Sequence, residues 1–217
     1  MLIHKIYDLL VLIAFIIGLV RFKKLASPFK ILTCSVGVTI LLEILSLIFI
    51  KIYGTNALIY HLMSISAYIF YAVAYSLLFK DRRIKKAIMF FIPVIFSFFL
   101  VNILFLQQPS DKQFPTNIYL ITNILYVIFS LLMFKQMLQQ PSDSSITKQS
   151  IFWFNSALLF FSTTMFLNMG LLNYYASHKW PYDTIYYLWE GNFCLFNALI
   201  CVSLLIDNQK TVEMTKE

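Results

Sequence analysis

Of the 217 residues, 60% are hydrophobic and only 12% are charged, whereas about a quarter of the residues of a water-soluble domain carry charge. The net charge of +7 is spread over short segments between apolar runs, which argues against a single basic face for nucleic acid. Mean hydropathy is +0.77 and the apolar runs are continuous instead of alternating, so a β-barrel is excluded and the fold class is all-α and polytopic.

Seven stretches approach the roughly 20 apolar residues that cross a hydrocarbon layer. The first, 6–22, runs into Arg21, Lys23 and Lys24 and lacks a small-residue cleavage site, so it reads as a retained span and not as a signal peptide. On the second, 31–52, Ser35, Thr39, Glu43 and Ser46 recur at three-four spacing and share one helical face. The third, 57–80, repeats this with His61, Ser64, Tyr68, Tyr71 and Tyr75. The fourth, 86–106, carries Pro93 and Asn102; the fifth, 116–134, aligns Tyr119, Asn123, Tyr126 and Ser130. The sixth, 151–172, carries Asn168, and the seventh, 183–206, aligns Tyr186, Glu190, Cys194, Asn197 and Cys201. Residues 1–217 form one transmembrane domain, with 207–217 as a short cytoplasmic tail.

Alternate connectors differ in basic residues. Arg21, Lys23, Lys24, Lys30, Lys80, Arg82, Arg83, Lys85, Lys86, Lys135, Lys148, Lys210 and Lys216 fall on one side, against Lys5, Lys51, Lys112 and Lys179 on the other. Since basic connectors are retained in the cytoplasm, the expected topology is N-terminus out and C-terminus in. Aromatic residues near the outer ends, among them Tyr53, Tyr60, Tyr174, Tyr175, Trp180 and Tyr182, fit an interfacial belt.

Glu43 and Glu190 are the ionisable groups expected at membrane depth, where a central charge costs about 2.5–3.5 kcal/mol. With the assigned topology, Glu43, His61, Asn123 and Glu190 reach similar depth in the outer half and form the candidate ligand-binding or proton-responsive site. Thr39, Ser64, Tyr68, Tyr126 and Asn197 supply the supporting polar seam. Structural interhelical hydrogen bonding is the competing reading of the seam, and it accounts less well for carboxylates than for amides. His4, His61 and His178 show no helical metal-pair spacing, and Cys34, Cys194 and Cys201 sit in apolar runs, so neither a metal nor a disulfide framework is expected.

The seventh span has no Lys for a retinal Schiff base, and GxSxG, HExxH and Walker patterns are missing, so no catalytic residue and no cofactor are assigned and the chain reads as a non-enzyme. A three-plus-one-plus-three transporter of the SWEET or PnuC kind finds weak support in Ile6-Tyr7 and Phe22-Lys23 aligning with Ile118-Tyr119 and Phe134-Lys135. Scarce Gly and Pro within the spans weigh against it.

The Arg-Phe-Lys-Lys end of the first span, Glu43 in the second and Trp189-Glu190 near the start of the seventh resemble a loose group of bacterial seven-span membrane proteins. That resemblance implies a sensor module of the cell membrane, in a bacterium the inner one, working with a separate signalling protein on the cytoplasmic face. The leading expectation is therefore a receptor-like module. A small-solute or proton-coupled transporter is the alternative, and a structural membrane subunit the third reading.

Overall fold

The computed structural model describes residues 2–109, 114–141, 145–178 and 183–208, with side chains described outside residues 2 and 172–185. Lys112, Lys179, the tail lysines and the aromatic side chains of Tyr174, Tyr175, Trp180 and Tyr182 therefore lie outside the described residues, as does the side chain of His178. Seven helices follow one another: α1 Leu2–Arg21, α2 Ser27–Tyr53, α3 Ala57–Leu78, α4 Arg82–Val101, α5 Thr116–Gln139, α6 Ser150–His178 and α7 Asp183–Ile206. All seven contain apolar segments of 21–27 residues, and at 1.5 Å per residue the shortest spans about 30 Å. The chain is thus an all-helical, multi-pass membrane protein.

Several helices outrun the apolar stretches that announce them. α1 starts at Leu2, ahead of the expected 6; α5 continues to Gln139, beyond 134; α6 continues to His178, beyond 172. Hydropathy marks only the part of a helix that meets lipid, whereas backbone hydrogen bonding continues until a cap or breaker stops it. Pro28 in the first turn opens α2, and Gly54 closes it in the left-handed region at φ 67°, donating to the Ile50 carbonyl. At α4 the Asp81 carboxylate accepts the Arg83 N–H at 2.7 Å, the usual N-terminal cap. α3 ends at Leu78, short of the expected 80, because Gln136 of α5 takes over its last bonds: its Nε2 donates to the Leu78 carbonyl and its Oε1 accepts from the Lys80 N–H.

Each helix packs on the next, and α7 returns along α1 to close the ring. α3 also touches α5, leaving α4 packed mainly on α3 at the periphery. Starts of α1, α3, α5 and α7 share one end of the bundle, here called the N-terminal end. Leu9, Leu12, Ile16, Leu41, Ile44, Phe90 and Phe105 are exposed outward, while Tyr68, Tyr75, Ser130, Asn155 and Ser162 are buried within. This arrangement, apolar outside and polar inside, suits a lipid solvent.

α1 and α2 approach closely because two glycines permit it. A methyl placed on Gly18 would lie 2.5 Å from the Thr33 side chain, and one on Gly37 would lie 2.8 Å from the Phe15 ring. Deeper in the bundle, Tyr75 donates its hydroxyl hydrogen to Asn155 Oδ1 at 2.7 Å, so Ser130 donates to Tyr75 at 2.9 Å. Asn155 Nδ2 returns a bond to the Ser130 carbonyl, completing a fully buried layer across α3, α5 and α6.

The end opposite the N-terminal one is closed by Asp207, which is 2% exposed. Its Oδ2 accepts the Ala26 N–H ahead of α2, its Oδ1 accepts the Ser150 hydroxyl at the start of α6, and its carbonyl accepts Arg21 Nη2. One residue thereby ties the α1–α2 turn, α6 and α7. Burial lifts the Asp207 carboxyl above the usual Asp range, opposed by the bonds from Ala26 and Ser150 and by the Arg21 charge.

Gly18→Ala should destabilise the protein by about 1–3 kcal/mol through overpacking, read as a lower unfolding midpoint in detergent. Gly170→Ala, with nothing within 4 Å of the added methyl, should be neutral or mildly stabilising. Equal effects would show that the α1–α2 approach is not tight.

A second test concerns Asp207. Its folded carboxyl keeps its proton to higher pH than the unfolded one, so acidification from neutral through the raised value should add stability, and the gain should level off below the ordinary Asp range. Asp207→Asn, which can still accept from Ala26 while Ser150 reverses its bond, should remove that pH dependence. Asp207→Ala should cost about 1–3 kcal/mol for each group left unpaired. Identical pH–stability curves for wild type and Asp207→Asn would refute the role given to this carboxyl.

Candidate functional site

The three-residue and four-residue steps Tyr7, Val11, Ala14 and Gly18 give α1 its buried face, and His4 continues that face toward the N-terminal end. Asp8 follows His4 by one turn, with His4 Nε2 3.8 Å from Asp8 Oδ1. From this short stretch two side chains reach neighbouring helices. The Tyr7 hydroxyl donates to Glu43 Oε1 on α2, and His4 Nδ1 lies 3.2 Å from Glu190 Oε1 on α7. α7 is also held to α1 by the thiols of Cys194 and Cys201, which donate to the carbonyls of Ile3 and Leu10.

Glu43 and Glu190, expected to converge, thus come to the same region of the bundle, and α1 is what links them. His4 meets both Asp8 and Glu190, and Tyr7, three residues on, meets Glu43. Glu190 is 9% exposed; one of its oxygens meets His4 and the other is buried with no hydrogen-bond partner among the described residues.

His61 is fully buried on α3, beside Tyr60. Asn123 donates to the Tyr119 carbonyl of its own helix at 2.7 Å and leaves Oδ1 buried without a partner among the described residues. Much of the expected seam behaves likewise. Thr39 donates to the Ser35 carbonyl, Ser64 to that of His61 and Asn197 to that of Phe193. Such bonds back onto the same helix satisfy the donor without joining helices. Tyr68 and Tyr126 pack their rings at 6.1 Å, and the Tyr68 hydroxyl is buried with no partner among the described residues. Buried unpaired atoms therefore recur on α3, α5, α6 and α7: Tyr68 Oη, Asn123 Oδ1, Asn168 Nδ2, Glu190 Oε2 and Asn192 Oδ1. Leaving such a group unpaired costs about 1–3 kcal/mol.

Asn102 belongs elsewhere. It sits at the start of the π-helical turn Asn102–Leu106 that ends α4, and its side chain bonds Gln107 in the connector and Asn117 in the first turn of α5.

Sequence reasoning missed His4, Tyr7 and Asp8 because starting the first span at residue 6 leaves His4 in the aqueous segment. The spacing from His4 through Tyr7, Val11 and Ala14 carries the signal, once α1 is allowed to begin at Leu2. Also missed is a chain of rings over the site. Tyr60 and Phe114 have centroids 5.3 Å apart, Phe114 and Trp189 5.2 Å, Trp189 and Phe193 6.2 Å, and Phe193 and Tyr7 5.4 Å.

Compared with protein-family models, with curated proteins and with solved structures, the chain matches none of them.

Proposed function

We propose that the chain is a non-enzymatic, receptor-like module of a cell membrane, N-terminus out and C-terminus in, that binds a ligand around Glu43 and Glu190. Its response is a shift of α1 against α2 and α7, handed to a separate signalling protein on the cytoplasmic face. The observation that carries this reading is the attachment of α1 to its two neighbours by ionisable contacts, Tyr7 to Glu43 and His4 to Glu190. Contacts of this kind change strength with a bound charge, which apolar packing does not. Buried groups with no hydrogen-bond partner among the described residues supply the affinity, and the Tyr75–Ser130–Asn155 layer gives the ligand-bound half a fixed base. His61 and Asn123 stand as the site's α3 and α5 contributors. No catalytic residue, cofactor or nucleic-acid surface enters the proposal.

A carrier of the three-plus-one-plus-three kind is the second reading, favoured by one feature of the packing. Exchanging α1, α2 and α3 with α5, α6 and α7 respectively converts the pairs α1–α2, α2–α3 and α1–α7 into α5–α6, α6–α7 and α5–α3, all of which are packed pairs, with α4 left over.

Topology is checked with single cysteines in a background where Cys34, Cys194 and Cys201 are alanine. Positions Ser27 and Ser145 should react with an impermeant thiol reagent only after lysis, and Gln108 on intact cells; labelling of Ser27 from outside would reverse the orientation. Receptor and carrier separate in proteoliposomes. The receptor reading expects no sustained uptake of solute, and saturable flux abolished by Glu43→Gln would replace it with the carrier.

A further inference from the structure

Basic residues crowd one turn at the end of the bundle opposite the N-terminal one. Lys80, Arg82, Arg83, Lys85 and Lys86 follow one another from the end of α3 into α4, and all but the half-buried Lys85 are exposed. Their backbone is fixed from two sides. Gln136 of α5 bonds the Leu78 carbonyl and the Lys80 N–H, with exposed Lys135 one residue before it, and the Asp81 carboxylate accepts the Arg83 N–H. Among the described residues the ion pairs are those of His4, and none involves these cations. Acidic residues elsewhere at this end do not reverse the sign. Over the whole sequence helix alternation assigns it thirteen basic residues against five acidic ones, Asp81, Asp143, Asp207, Glu213 and Glu217. Of these, Asp207 is 2% exposed and already bonded on both oxygens.

Retention of basic connectors accounts for the number of these cations but asks nothing of their position. Their position follows α4. Because α4 packs mainly on α3, its other sides face lipid, and along one of them Arg82, Lys86, Phe90 and Val94 recur at steps of four, all exposed. At 1.5 Å per residue this row passes from charge to aromatic to aliphatic surface over about 18 Å. A phospholipid makes the same passage from headgroup to acyl chain. A soluble anion or an acidic protein would match the charged half of the row and leave Phe90 and Val94 unmatched.

We propose that the start of α4 binds an anionic phospholipid, its headgroup against Arg82 and Lys86 and a chain over Phe90 and Val94. Lys80, Arg83 and Lys135 add flanking positive charge, and Gln136 and Asp81 hold the turn in place. This surface lies at the other end of the bundle from Glu43 and Glu190, and the assignment holds for a receptor and a carrier alike.

The test titrates the full chain in detergent micelles with phosphatidylglycerol or phosphatidylcholine of identical chains. Retained lipid is counted by native mass spectrometry and the unfolding midpoint is followed in parallel, with glycerol phosphate as a headgroup lacking chains. Phosphatidylglycerol should be retained saturably and raise the midpoint, whereas phosphatidylcholine and glycerol phosphate should do neither at the same concentration. A basic residue at a membrane surface is worth about a fivefold change in affinity for anionic lipid, so Arg82→Gln combined with Lys86→Gln should weaken retention by about tenfold or more. Lys23→Gln combined with Lys24→Gln removes the same charge from the same end and should leave retention nearly unchanged. Equal losses in the two double variants would reduce the effect to the summed charge of that end and overturn the proposal. Equal retention of phosphatidylcholine, or an equal midpoint shift with glycerol phosphate, would overturn it as well. Should the Arg82 and Lys86 double variant fail to fold, Lys86→Gln alone, expected to weaken retention about fivefold, is compared with Lys24→Gln in the same way.

Discussion

Inside a bilayer a polar side chain finds hydrogen-bond partners only within the protein, and the bundle is organised around that shortage. Serines, threonines and asparagines turn inward, and most settle the debt locally by donating to the carbonyl one turn back, as Thr39, Ser64, Thr122 and Asn197 do. Other bonds cross between helices, among them those of His4 and Tyr7 at one end, the Tyr75 layer within, and Asp207 at the other end.

The two ends are built on different chemistry. Asp207 is saturated, each carboxylate oxygen accepting a bond and its carbonyl accepting Arg21, so that end is a fixed joint. At the N-terminal end the carboxylate of Glu43 accepts from Tyr7 and that of Glu190 meets His4, and one Glu190 oxygen is buried with no hydrogen-bond partner among the described residues. A bundle firm at one end and under-satisfied at the other concentrates its freedom where α1 begins. Exposed apolar residues run along α1, α2 and α4 on the outside of the ring.

Most of this was legible in the residues. Continuous apolar runs gave the number of spans, and three-four spacing put the aligned faces of α2, α3, α5 and α7 inward except at Tyr186, which is exposed near the start of α7, because both depend on local periodicity. Helix ends were less legible: polar residues such as Gln136 and Gln139 belong to α5 although hydropathy stops before them. Least legible was partnership. Spacing tells that Glu43 and Glu190 avoid lipid, but which side chain meets each depends on helix order around the ring, and the answer lay in α1, whose His4 falls before the apolar run. The aromatic chain escaped for a similar reason, since Phe114 is in a connector and joins α3 to α7 only in three dimensions.

Closure of the ring by α1 against α7 also constrains the order of biogenesis. His4 and Glu190 are 186 residues apart, so at synthesis rates of about 5–20 residues per second α1 waits about 10–40 s for its partner. Throughout that interval its His4–Tyr7–Asp8 edge has α2 beside it but not α7, and half of its inward face meets lipid or the insertion machinery. Chains that still lack α7 would therefore be open sheets of helices, vulnerable to quality-control proteolysis until α7 arrives and converts the sheet into a closed bundle.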